Sequence, residues 1–200
     1  MNKQILSVDI DDVLSHSAKQ IMAYGNENWG HTHSIEDFNE DLASMWQVEP
    51  DEAERRWLEY IDSGIFSRLE VIVEAREALE RLSQTYQIIA VTSRRDSLLP
   101  LTGEWIASNY PGIFHQIIGA GIYGNGRPDA HMLTKADVLK SIGSTHHIDD
   151  QIKHCAGAYS VGVPAILFGD YPWNRDVDLP ETVTRCKDWP AVLEYFDGIV

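Results

Sequence analysis

Four short stretches of the chain carry side chains able to do chemistry together. Asp9, Asp11 and Asp12 follow directly on the apolar run of residues 4–8, and Thr92 and Ser93 close a second apolar run at 87–91. Lys135 opens an amphipathic stretch, and Asp149 and Asp150 close a further expected strand at 146–148. Carboxylates gathered in this way are the ligands a hard, oxygen-preferring cation takes. Hydroxyls and an ammonium group are donors that steady negative charge on an oxyanion. The set suits chemistry on a phosphoryl group, which needs an in-line nucleophile and cations around its equatorial oxygens. Two carboxylates and a dianionic ester repel one another, so Mg²⁺ is the expected cofactor.

These groups are far apart in sequence, so the elements that carry them have to bring them together. Strands are expected at 4–8, 87–91, 116–119, 146–148 and 165–168, with helices at 74–82, 101–108, 134–142 and 152–161. Strands separated by helices of this length imply right-handed crossovers and a parallel sheet covered on both faces, an α/β fold in three layers. Ligands of such a sheet bind beyond the carboxyl ends of its strands. Asp9, Ser93 and Asp149 all stand at those ends. Residues 15–64 read differently: Ala18, Ile21 and Met22 recur at helix spacing, Ser34 and Asp37 form a capping-box pattern, and a further helix starts near Pro50 and stops at Gly64. No strand is expected there.

Val8-Asp9-Ile10-Asp11-Asp12-Val13-Leu14 resembles the DxDx(T/V)L signature of the haloacid dehalogenase-like hydrolases. Ala90-Val91-Thr92-Ser93 resembles their second motif, Lys135 their third and Ile148-Asp149-Asp150 their fourth, in the family's order and over the whole chain. The resemblance implies a Rossmann-like core of residues 1–14 and 75–200, with residues 15–74 as a helical cap inserted after the first strand. It implies that Asp9 attacks phosphorus and forms an aspartyl-phosphate, with Asp11 as acid and then base. Neighbouring negative charge is expected to raise the pKa of Asp11. Asp9, the Asp11 carbonyl and Asp150 would hold Mg²⁺, and Asp149 would contribute directly or from behind. Thr92 or Ser93 would bond the phosphoryl oxygens. Lys135 is preferred over Lys140 because it opens its helix. Arg94, Arg95, Arg127 and Arg175 are candidates for holding phosphate.

Within that family a dehalogenase has no need of an acid two residues after its nucleophile, so Asp11 favours phosphate chemistry. The cap, its aromatic residues and the late segment Phe168-Gly169-Asp170-Tyr171-Pro172-Trp173-Asn174-Arg175 make the chain similar to the cytosolic 5′(3′)-deoxyribonucleotidases and their bacterial nucleotidase-like relatives. Asp12 departs from the glycine common there, which leaves the precise substrate open. A receiver-type signalling module shares the residue types, but it carries its acidic pair first, whereas here Asp149 and Asp150 come last.

The remaining composition narrows the partners. Sixteen Lys and Arg stand against 31 Asp and Glu, a net charge of −15, which argues against a nucleic-acid polymer and calls for local positive charge or a metal wherever an anionic substrate binds. A small phosphorylated molecule is the expected partner. No run approaches the roughly 18 apolar residues of a membrane span. Two cysteines without CxxC spacing fit a reducing cytoplasm, with a disulfide between them left open. A homodimer is compatible with the sequence. The cap aromatics Tyr24, Trp29, Phe38, Trp46, Trp57, Tyr60 and Phe66 fit core stripes at least as well as a pocket, so one or two are expected to line one. His31-His33 and His146-His147 lack zinc-ligand spacing and read as surface or structural residues. His131 could touch substrate or simply pack.

Overall fold

A computed structural model of the protein describes residues 3–121 and 133–199. The chain opens with β1 (Gln4–Val8), whose last three residues are fully covered, because β1 is flanked on both sides by other strands and on both faces by helices. The segment that follows is helical: α1 (Ser17–Trp29), a 3-10 turn (Ile35–Asp37), α2 (Leu42–Trp46), α3 (Pro50–Asp62) and a second 3-10 turn (Ile65–Arg68). The expected capping box of Ser34 and Asp37 is present. Gly64 takes a left-handed φ of 74° just past α3, the backbone that glycine enters without a Cβ clash. This segment leaves and re-enters the sheet region side by side. Ile72 donates its N–H to the Leu14 carbonyl, His16 donates to the Glu70 carbonyl, each at 2.9 Å, and Ser15 bridges Val71 antiparallel.

Strand and helix then alternate through α4 (Val73–Leu82), β2 (Tyr86–Thr92), α5 (Leu99–Asn109), β3 (Phe114–Gly119), α6 (Lys135–Ile142), β4 (Ser144–Asp149), α7 (Ile152–Ser160), β5 (Ala165–Phe168), β6 (Val183–Cys186) and α8 (Trp189–Gly198). The six strands form one parallel sheet in the order β3-β2-β1-β4-β5-β6. Alternate side chains divide between two cores, as a two-residue strand period requires. Leu6, Val8, Ile88, Ala90, Ile166 and Phe168 pack with α4, α5 and α8, while Ile89, Val91, Ala165 and Leu167 pack with α6 and α7. The α/β three-layer fold expected from the sequence is the one observed. β6 and α8 were not anticipated.

The chain reverses its direction of winding at β1, which pairs with β2 on one side and β4 on the other. Val8 stands opposite both Ala90 and Ile148, so the carboxyl ends of the three strands lie level. This is the switch point at which a parallel sheet opens a crevice. Among the described residues no helix is long and apolar enough to cross a membrane. Cys155 and Cys186 are buried free thiols.

Candidate active site

The crevice holds a cavity of about 660 Å³ whose floor is made by the strand ends and whose roof is made by the helical segment. Asp9, Asp149 and Asp150, all buried, present carboxylate oxygens within 4.8 Å of one another, the one such cluster among the described residues. The buried Lys135 Nζ lies 2.8 Å from Asp9 Oδ1 and 2.6 Å from Asp149 Oδ2. It reaches that position from the first residue of α6, where Thr134 accepts from the Asp137 N–H in a capping box that fixes the start of the helix. Lys140, the alternative, is exposed near the far end of α6 and does not line the cavity.

Burial drives the Asp9 carboxyl up to about 7; Lys135 opposes this, and Asp149 and Asp11 add to it. Asp150 is likewise raised, first by burial and then by Asp149, Asp9 and Asp12. Asp149 is held well below the usual carboxylate range, because the charge of Lys135 and contact with His147 outweigh its burial. Lys135 is raised despite its own burial by Asp149 and Asp9. Behind Asp149 runs a fully buried polar chain: His147 Nε2 lies 3.0 Å from Asp149 Oδ2, and His147 Nδ1 lies 2.9 Å from Ser7 Oγ. One lysine against three carboxylates leaves an excess of negative charge in a dry place. A divalent cation, with Asp9 and Asp150 as ligands, fits that oxygen donor set.

Asp11 faces the other side of the floor. Arg94 donates to both its oxygens, at 2.9 and 2.7 Å, and Ser17 bonds Oδ1. Desolvation pushes the Asp11 carboxyl up, but Arg94 and Ser17 pull it further down, so its pKa is lowered. This corrects the expectation of a raised value: the cation beside Asp11 counts for more than the neighbouring acids. The same Arg94 is buried, donates to Thr102 Oγ1 at 3.0 Å and sits over the Phe66 ring at 5.0 Å. Arg95 pairs with Glu54 of α3 at 2.6 Å.

The hydroxyls at the end of β2 separate clearly. Thr92 is fully buried, and its Oγ1 accepts from the Arg94 N–H at 3.2 Å, whereas Ser93 lines the cavity and its buried Oγ has no hydrogen-bond partner among the described residues. Asp12 takes φ 55°, a left-handed conformation that explains why glycine is common at this point and that Asp tolerates better than most residues. Its carboxylate accepts from the Ala18 N–H at the start of α1, at 3.1 and 3.2 Å.

Several contributors were not picked out from the sequence. Gln151 and Trp173 both donate to Asp150 Oδ2, at 3.1 and 2.7 Å, and Asn174 holds the Asp150 carbonyl at 2.9 Å. The segment that had served only as a family likeness therefore supports an acid of the floor. His154 also lines the cavity, and burial lowers its pKa to about 4 against the pull of Asp149. In the roof, Phe38, Trp57, Tyr60 and Phe66 all face the cavity, more rings than the one or two expected. Trp46 is buried elsewhere in the core. His147 is structural, and His31 stacks on His33 at 4.6 Å. Arg175 reaches Glu36 at 3.4 Å and does not line the cavity. Arg127 and His131 lie outside the described residues.

A six-stranded parallel sheet with an acidic cluster at its switch point and an insertion after its first strand is the architecture of the haloacid dehalogenase-like hydrolases. A protein of that class from Streptococcus pneumoniae, SP0104, superposes with a TM-score of 0.69 at 18% identity over 97% of this chain and 98% of its own. The D,D-heptose 1.7-bisphosphate phosphatase of B. bronchiseptica, solved with magnesium and phosphate, gives a TM-score of 0.58 at 13% identity over 98% and 99%. Within the class, residues 3–122 match the family model described as 5′ nucleotidase, deoxy (pyrimidine), cytosolic type C protein, and the chain belongs to this family of hydrolases. "Putative nucleotidase BH1399" of Halalkalibacterium halodurans is 27% identical over 197 residues, 95% of this chain and 91% of that protein. "Putative nucleotidase YqfW" of Bacillus subtilis is 21% identical over 199 residues, 96% and 93%.

Proposed function

We propose that the protein hydrolyses a phosphomonoester, a nucleoside monophosphate in particular, through an aspartyl-phosphate on Asp9 with Mg²⁺ as cofactor. The observation that carries this reading is the floor itself: three buried carboxylates within 4.8 Å of one another, a buried lysine on two of them and, beside the same cavity, a serine hydroxyl without a partner among the described residues. Asp9 and Asp150, with the Asp11 backbone carbonyl, would hold the Mg²⁺, which would supply neutralising charge for the phosphoryl oxygens. Lys135 orients Asp9 and opposes the rise that burial imposes on its carboxyl, and Ser93 Oγ donates to a phosphoryl oxygen, a role open to it because Ser93 lines the cavity and the fully buried Thr92 does not. Asp149 holds Lys135 from behind. In the substrate-free arrangement Arg94 neutralises Asp11. Transfer of that guanidinium contact to an incoming phosphoryl group frees Asp11 to take up a proton from solvent, give it to the leaving oxygen and then take one from the water that attacks the aspartyl-phosphate.

The preference for a nucleoside rests on the roof, supported by the family to which the chain belongs. Residues 15–74 act as the cap, and Phe38, Trp57, Tyr60 and Phe66 give a base or sugar a wide apolar surface. The cavity is also large for the phosphoryl group alone. The test is a substrate profile. Purified protein with Mg²⁺ should release phosphate fastest from nucleoside monophosphates among a panel of phosphorylated metabolites, and chelation should stop it. No release from any compound by folded, Mg²⁺-supplied protein would overturn the reading; faster release from small sugar phosphates or phosphoglycolate would keep the chemistry and remove the nucleoside.

A further inference from the structure

We propose that Trp173 is a positioning residue that orients Asp150 for the divalent cation and ties that orientation to the roof of the substrate cavity. The inference rests on the reading of Asp9 and Asp150 as cation ligands. An aspartate serves a cation best when one oxygen is aimed and the other is held. Here Trp173 Nε1 and Gln151 Nε2 both donate to Asp150 Oδ2, at 2.7 and 3.1 Å, and Asn174 fixes the backbone of the same residue through its carbonyl at 2.9 Å. The described residues place no hydrogen bond on Oδ1, which is the oxygen this arrangement presents to the ion.

The indole is itself held from two directions. Its ring stacks on Tyr171 at 4.6 Å with 6° between the planes, and the Tyr171 hydroxyl donates to the Asp12 carbonyl at 2.7 Å, so the support of Trp173 returns to the loop that follows β1. The Phe38 ring lies 4.7 Å from Trp173 at 54°. Phe38 belongs to the helical segment and lines the cavity. A leaving group that shifts Phe38 therefore presses on the indole whose N–H holds Asp150. Salt bridges from Arg175 to Glu36 and from Lys153 to Glu40 tie the same part of the roof to the sheet domain. Two sites joined through one side chain must influence each other reciprocally.

The measurement is Mn²⁺ binding to the whole protein by titration calorimetry, without substrate, alongside thermal unfolding. Trp173→Phe keeps a ring for Tyr171 and Phe38 but removes the donor, and Trp173→Tyr is a second variant should the first unfold. Loss of the donor should weaken Mn²⁺ binding about ten-fold, as removal of a ligand's support commonly does. Phe38→Leu should weaken it two- to three-fold, about as much as the loss of one packing contact permits. The double variant should be no weaker than Trp173→Phe alone, since both act through one indole. Native affinity in a folded Trp173→Phe protein would overturn the proposal, and strictly multiplicative effects would overturn its link to the roof. Absence of Mn²⁺ binding by the native protein would instead remove the cation reading on which it rests.

Discussion

The floor and the roof of the cavity are built on opposite principles. Floor side chains come from the ends of separate strands and from the start of α6, and are fixed by directional contacts: Asp149 alone meets Lys135, His147 and the Gln151 N–H, each within 3.0 Å. Roof side chains come from one inserted segment and are fixed by shape, through edge-on ring contacts such as Trp57 with Phe66 at 5.8 Å and Tyr60 with Phe66 at 5.7 Å. Directional bonds among buried charges tolerate little displacement, whereas apolar packing accepts substitutions of similar volume. The floor is thus suited to setting a reaction and the roof to selecting what enters it.

If that division holds, floor variants should lose turnover and roof variants should lose affinity. Asp9→Asn should lower kcat by about 10⁴-fold or more, measured as phosphate release, because no other group replaces the proposed nucleophile. Lys135→Met leaves Asp9 and Asp149 without their counter-charge and should cost about 3–5 kcal/mol of stability, read from denaturant unfolding, along with turnover. Ser93→Ala should reduce kcat about 100-fold with KM little changed, while Thr92→Ser should be mild; the opposite ranking would exchange their roles. Trp57→Leu should raise KM about five-fold and leave kcat within a factor of two, a loss in the range of one aromatic contact. A large fall in kcat there would break the comparison.

The smallest effect concerns acid stability. Burial lowers the pKa of His154 from 6.5 to about 4 and that of His146, set among Tyr86, Tyr195 and Phe196, in the same direction. The folded state therefore favours their neutral forms. Their contribution is complete above the unfolded value near 6.5 and is lost as pH falls toward 4. His154→Gln should flatten that slope in unfolding experiments between pH 6.5 and 4.5.

Much of the floor was legible because it coincides with changes in pattern. Apolar runs that end in Asp9 and in Thr92-Ser93 announce both a strand and where it stops, and the level ends of β1, β2 and β4 follow from their pairing. The partners of Asp11 were not legible, since Arg94 lies 83 residues away and only the fold determines which charge is nearest. The roof was hidden for another reason. Helical spacing places Trp57 and Tyr60 on an apolar face whether that face meets a core or a cavity. β6 is a four-residue edge strand with Thr184 exposed, too short for a clear period, although Asp188 before Trp189-Pro190 was an available start signal for α8. Asp12 shows a departure from pattern acquiring a physical meaning once its φ is known.

The chain of contacts behind Asp149 also has a polarity. An ionised carboxylate can only accept, so His147 presents an Nε2–H to Asp149, while its Nδ1 lies against Ser7 Oγ, whose hydroxyl donates to the His146 carbonyl at 3.1 Å. The Nε2–H dipole of His147 thus points from the sheet interior toward the acid. The interior of the sheet thereby lends an oriented dipole to the proposed catalytic centre, and Ser7, which looks like ordinary filler between Leu6 and Val8, becomes one of the groups that hold that dipole in place.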